Sequence, residues 1–204
     1  MFIQSLRAST ANCHRQLELN NLSQALLSSD VNETIYCNYL SNLYKFIYGF
    51  EQFVYPVLSD FFLNINERKK AFLIETDLKE YHHSSKNINT ISEDFFNETY
   101  PDFYTAAGAL YVLEGSTLGG QIIVKHLHKT LPTGFNGSAY FSAYKQKTGS
   151  MWKAFLEQLT NLPTSHFEEQ QIINGAIKTF NIINNILSNI PQKYTSHEYK
   201  EFIK

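Results

Sequence analysis

Arg7, His14 and Glu18 carry side chains that together could serve a metal and an anion. They stand at i, i+7 and i+11, which on a helix of about 3.6 residues per turn sets them on one face. A neutral imidazole offers one ring nitrogen to a metal, while a carboxylate one turn away engages the other nitrogen and fixes the tautomer. Arg7, two turns earlier, would meet an anionic group. Read alone, His14 and Glu18 are more simply an ordinary surface i,i+4 pair worth a few tenths of a kcal/mol.

A second constellation lies in an apolar stretch. Gly115, Gly119 and Gly120 interrupt a long helical pattern, where each glycine costs up to about 1 kcal/mol against alanine. Tyr111, Gly115 and Gly119 recur at i, i+4 and i+8. They leave a bare strip along which backbone can approach a flat ligand, with Tyr111 at one end and a kink expected between. The structural alternative is tight helix packing through small residues, a theme continued by Ala106, Ala107, Gly108 and Ala109.

The elements that must hold these residues read as helices throughout. Only nine glycines and five prolines punctuate the 204 residues, and apolar positions recur at three and four rather than at two. Helical segments are predicted over 2–28, 32–64 with Asn32 as N-cap and a kink at Pro56, 67–82, and 101–130 with Pro101 in its first turn. Two more follow over 140–159 and 164–188, the latter opened by a capping box of Ser165 and Glu168, and a short one over 196–203. The polar run 83–89 is the expected exposed connection, and Leu131 to Gly134 close the glycine-bearing helix. The fold class is all-α, with 1–204 as one domain.

Charge and composition narrow the function. Seventeen Lys and Arg against nineteen Asp and Glu give a formal charge of -2, so there is no basic field to hold nucleic acid or an anionic membrane. The apolar stretch 46–65 is broken by Glu51, Pro56 and Asp60, which suits a buried, kinked helix rather than a membrane span. Cys13 and Cys37 belong to no metal or redox spacing and read as small, reduced core residues. Arg7 precedes any apolar h-region, so no leader is expected and the cytoplasm is the natural compartment. His82, His83, His126 and His128 read as loop or helix-end residues, His166 and His197 as cap-region residues, and Trp152 as core.

The segment Leu110-Tyr-Val-Leu-Glu-Gly-Ser-Thr-Leu-Gly-Gly-Gln-Ile-Ile123 resembles the distal-helix signature of bacterial heme oxygenases. Leu6-Arg-x-x-Thr10-x-x-x-His14-x-x-Leu17-Glu18 resembles their proximal-helix signature. Weaker matches are Tyr140-Phe141-x-x-Tyr144 with Thr148-Gly149-x-x-Trp152-x-x-Phe155, and Ala176-x-x-Thr179-Phe180.

The resemblance implies a heme sandwiched between a proximal helix and a kinked, Gly-rich distal helix. His14 would be the iron ligand, Glu18 the carboxylate on its second nitrogen, and Arg7 and Tyr111 propionate neighbours. Gly115, Gly119 and Gly120 would lie against the distal face, Ser116 would partner distal water, and Phe180 would be a heme-edge contact. One neutral histidine leaves the opposite side open to dioxygen without the push of a thiolate. The implied reaction cleaves heme b, both cofactor and substrate, to biliverdin, ferrous iron and carbon monoxide. Its electrons would come from a ferredoxin, a flavodoxin or a reductase, and a bilin-accepting protein such as a phytochrome is a conceivable recipient.

Two departures stand out: the family usually shows glycine where this chain has Lys145, and an apolar residue where it has Cys13. Lys145 and Lys178 are candidate propionate contacts. A non-catalytic heme carrier or sensor, and a thiaminase-like enzyme on the same scaffold, are the competing expectations.

Overall fold

The first amphipathic stretch divides at Asn20. The computed structural model describes residues 2–131, 135–162 and 165–188, and in it α1 (Phe2–Glu18) is followed by a short α2 (Asn21–Leu26) rather than by one helix over 2–28. The Asn20 carboxamide oxygen accepts the Leu22 N–H and so caps α2. Its amide nitrogen donates to Asn184 and Ser188, which pins the junction to the far end of the chain. Tertiary bonds of this kind outweigh local propensity.

Asn32 caps α3 (Glu33–Gly49) as expected, accepting the Ile35 N–H. Five residues, Phe50–Val54, then widen into a π turn before α4 (Tyr55–Leu58). Pro56 explains the change, because its ring crowds the preceding turn and it has no N–H to continue the ladder. The next helix starts later than its apolar pattern indicates: Ile65–Arg68 is a 3-10 turn, and α5 is Ala71–Glu80.

The helix α6 (Glu93–Thr99), capped by Ser92, lies where no helix is expected. Pro101 is not in the first turn of α7 (Phe103–Thr130), because Asp102 takes the N-cap and accepts the Thr105 N–H. The helix predicted from 140 begins only at Thr148, as α8 (Thr148–Thr160), after turns through Tyr140 and Phe141. Ser165 and Glu168 form the capping box of α9 (His166–Leu187). The segment 196–203 lies outside the described residues, as do 132–134 and His197.

No strand occurs among the described residues. The central relationship is α7 against α9, with α9 also covering α1 and α3. A Cβ on Gly108 would come within 2.0 Å of the Ile172 carbonyl oxygen, and one on Gly175 within 2.0 Å of that of Thr105. The small-residue reading of 106–109 is therefore correct, and the contact is with α9. It leaves the C-terminal half of α7, with its other glycines, free to line something else. Cys37 is buried in the core and Cys13 is half-buried, both as free thiols.

Candidate functional site

The structure encloses a cavity of about 590 Å³, and Arg7, His14, Glu18, Tyr111, Gly115, Ser116, Gly119, Gly120 and Phe180 all line it. Residues up to 173 positions apart in the chain are thus brought to one space by the packing of α1, α7 and α9. A volume of this size suits a cofactor-sized molecule.

His14 projects from α1 with its side chain 60% exposed, which is unusual for a residue packed beside a buried aromatic and leaves it free to bind. Its Nδ1 lies 3.5 Å from Glu18 Oε1, so Nε2 is the nitrogen available to a metal. Phe180, buried on α9, meets the imidazole edge to face.

At one end α1 and α7 approach each other. Tyr111 is buried, which raises its hydroxyl pKa, while the neighbouring Arg7 guanidinium and Thr10 hydroxyl oppose the rise. Beyond this contact the cavity opens between the two helices.

The glycines differ in what they face. A Cβ on Gly119 would meet nothing within 4 Å, and one on Gly115 would meet only the Trp152 ring at 3.5 Å. These two form the bare strip. A Cβ on Gly120 would lie 2.6 Å from the Phe141 carbonyl oxygen, so Gly120 lets the 140–144 turn pack on α7 and contributes only its backbone to the wall. The helix is continuous across all three.

Ser116 donates its hydroxyl to Leu113 O at 2.8 Å and is a hydrogen-bonding neighbour of Tyr140, whose pKa burial drives well above the usual range. Trp152 is a half-buried wall residue stacked on Phe155, not core.

Lys145 and Lys178 are exposed and outside the cavity lining, and the half-buried Cys13 is outside it too. Lys145 has φ 49°, the left-handed region that favours glycine, so the backbone path is kept although the residue differs. Among the described residues no group of three or more His, Cys, Asp or Glu could hold a metal. His126 instead hydrogen-bonds the Ser28 carbonyl at 2.9 Å.

Sequence reasoning missed a buried ionic cluster behind α7. Glu114 is fully buried, ion-paired to Arg68 and, at 2.6 Å, to Lys70 Nζ, and it accepts the Tyr144 hydroxyl at 2.9 Å. Its signal was available: a carboxylate inside an otherwise apolar run requires a partner, and Arg68-Lys69-Lys70 supplies cations.

One open imidazole nitrogen, a bare helix strip and a rim arginine beside a tyrosine hydroxyl fit a flat, metal-centred ligand with an anionic edge. The family model for heme oxygenase matches residues 1–189. The fold is similar to heme oxygenase from Leptospira interrogans, with TM-score 0.73 and 19% identity over 93% of this chain and 99% of that one. It is similar also to heme oxygenase-1 from the cyanobacterium Synechocystis in complex with heme, with TM-score 0.74 and 18% identity over 98% of this chain and 95% of that one. No curated protein matches.

Proposed function

The chain belongs to the heme oxygenase family and is a heme-degrading enzyme, and we propose that it converts heme with dioxygen and externally supplied electrons to biliverdin, ferrous iron and carbon monoxide. The observation that supports the assignment of residues is the convergence of His14, Arg7, Tyr111 and the Gly115–Gly119 strip on one cavity. Bound heme supplies the iron that takes up dioxygen and the macrocycle that is opened.

The protein's own part is to hold and orient. His14 Nε2 would hold the heme iron, and Glu18 at Nδ1 would set its tautomer and basicity. Phe180 packs against the imidazole ring. Arg7, with Tyr111 and Thr10 beside it, would hold the anionic propionate edge and so orient the bound group. Gly115 and Gly119 let the α7 backbone lie close to the opposite face, where a side chain would displace the small ligand. Ser116 and Tyr140 give that face hydroxyl groups able to order water.

The partner is an electron donor such as a ferredoxin, a flavodoxin or a reductase. No helix among the described residues is long and apolar enough to cross a membrane, and the cytoplasm is the compartment that fits an enzyme drawing on such donors.

The test is to mix the protein with one equivalent of hemin, add a reductant in air with catalase present, and identify the extracted pigment. Loss of the Soret band with a biliverdin product is the expected result. A persistent Soret band with a competent donor would indicate a heme carrier, and no Soret shift on mixing would remove heme from the site.

A further inference from the structure

We infer that Lys70 is a positioning residue for this reaction, its ammonium held at the cavity wall by Glu114 so as to stabilise negative charge on the α7 side of the bound heme. The inference rests on the heme reading above.

Two of the residues lining the cavity are Lys or Arg, namely Arg7 and Lys70. Arg7 is exposed at the rim, whereas Lys70 is buried at 3%. Lys70 Nζ donates to Glu114 Oε1 at 2.6 Å and to Arg68 O at 2.9 Å, and it stands 4.9 Å from the centre of the Tyr144 ring. Glu114 precedes Gly115 on α7, so the ammonium is tied to the helix whose glycines form the opposite wall from His14.

Lys70 does not have its carboxylate partner to itself. Arg68 and Lys70 share the single carboxylate of Glu114. The other groups facing the cluster are Glu51, Tyr55, Tyr144 and the Met151 carbonyl. Tyr55 donates to Arg68 O at 3.1 Å, and the Met151 carbonyl lies 3.5 Å from the Arg68 guanidinium. Glu51, also buried, is occupied by the backbone N–H groups of Lys70 and Ala71. Burying charges in this way is costly, and apolar replacements of such clusters are often neutral or stabilising. A cation kept at the wall of a reaction cavity gains its value from charge that appears there, where the low dielectric strengthens the interaction.

The experiment compares a charged and a neutral probe of the same site: fluoride on the ferric heme complex and carbon monoxide on the ferrous one. Lys70→Met is expected to raise the fluoride Kd about tenfold and to leave carbon monoxide affinity unchanged, while Lys70→Arg restores fluoride binding. Unchanged fluoride affinity, or fluoride and carbon monoxide weakened in parallel, would overturn the inference. If Lys70→Met does not fold, Lys70→Gln is measured with the same expectation. Wild-type protein that shows no Soret shift with hemin would remove the heme reading itself, whereas a normal wild-type complex with an indifferent variant removes the role of Lys70 alone.

Discussion

The His14 imidazole stands edge-on to the Phe180 ring, with centroids 5.8 Å apart and planes at 77°. One residue comes from the first helix and the other from the last, so the packing of α1 on α9 sets the ring's orientation. Glu18 at Nδ1 is the second constraint. The imidazole is braced from two elements, and its residue lines the cavity.

His14→Ala should therefore weaken hemin binding by at least about tenfold, the lower end of what loss of metal-site support costs. Added imidazole should recover the wild-type Soret position by filling the space left. Phe180→Leu keeps both ring nitrogens and loosens only the brace, so a few-fold loss is expected. Hemin titrations followed at the Soret band check both, and a His14→Ala spectrum identical to wild type would contradict the ligand assignment.

Adjacent glycines on α7 should behave in opposite ways. Gly119 has open space around a new Cβ, so Gly119→Ala is expected to stabilise the fold by roughly 0.5–1 kcal/mol through helix propensity while lowering heme turnover. Gly120→Ala meets the Phe141 carbonyl oxygen at 2.6 Å and should cost about 1–3 kcal/mol. Urea unfolding of the two variants separates them; equal stabilities would refute the different faces assigned here.

Lys145 occupies a left-handed backbone conformation at φ 49°. Lys145→Gly removes the Cβ strain, less the extra freedom glycine has when unfolded, and a gain of about 0.5–1 kcal/mol is expected in urea unfolding. A loss of stability would mean that the lysine side chain contributes more than its strain.

Glu51 gives a pH dependence of defined sign. Burial raises its folded-state pKa above the ordinary 4.5, so the titration favours the folded state most fully below about pH 4.5 and progressively less as pH rises through the folded value. Glu51→Gln abolishes the titration and keeps an amide oxygen for the Lys70 and Ala71 N–H groups. The Tm difference, variant minus wild type, should increase with pH above 4.5 and then level. A difference constant across that range would show that Glu51 does not titrate there.

The residues that line the cavity were legible because their chemistry is local. His14 and Glu18 are one turn apart, and glycine in an apolar helix announces a need for bare backbone through its cost. Asn32, Ser165 and Glu168 marked helix starts for the same reason, since a cap is a bond between neighbours. Where the expected boundaries failed, a distant contact decided. Asn20 breaks the first helix by binding α9, and the 140–147 turns are held where Gly120 admits Phe141 and where Asp77 accepts the Ala139 and Tyr140 N–H groups.

Which glycine serves which purpose was a tertiary matter. Gly108 and Gly120 read the same as Gly119 in sequence, yet the first two admit neighbouring backbone and the third faces the cavity. The ionic cluster is the clearest case. Glu114 lies 46 positions from Arg68 and 44 from Lys70 in the chain, and no periodicity couples it to them. The sequence by itself determined an all-helical chain with an imidazole, its carboxylate and a bare helix strip. Only the tertiary structure decided that α1, α7 and α9 close one cavity around them and that a buried ammonium stands in its wall. Side-chain type and helical spacing are local properties, whereas desolvation and charge pairing exist only once separate helices exclude water together.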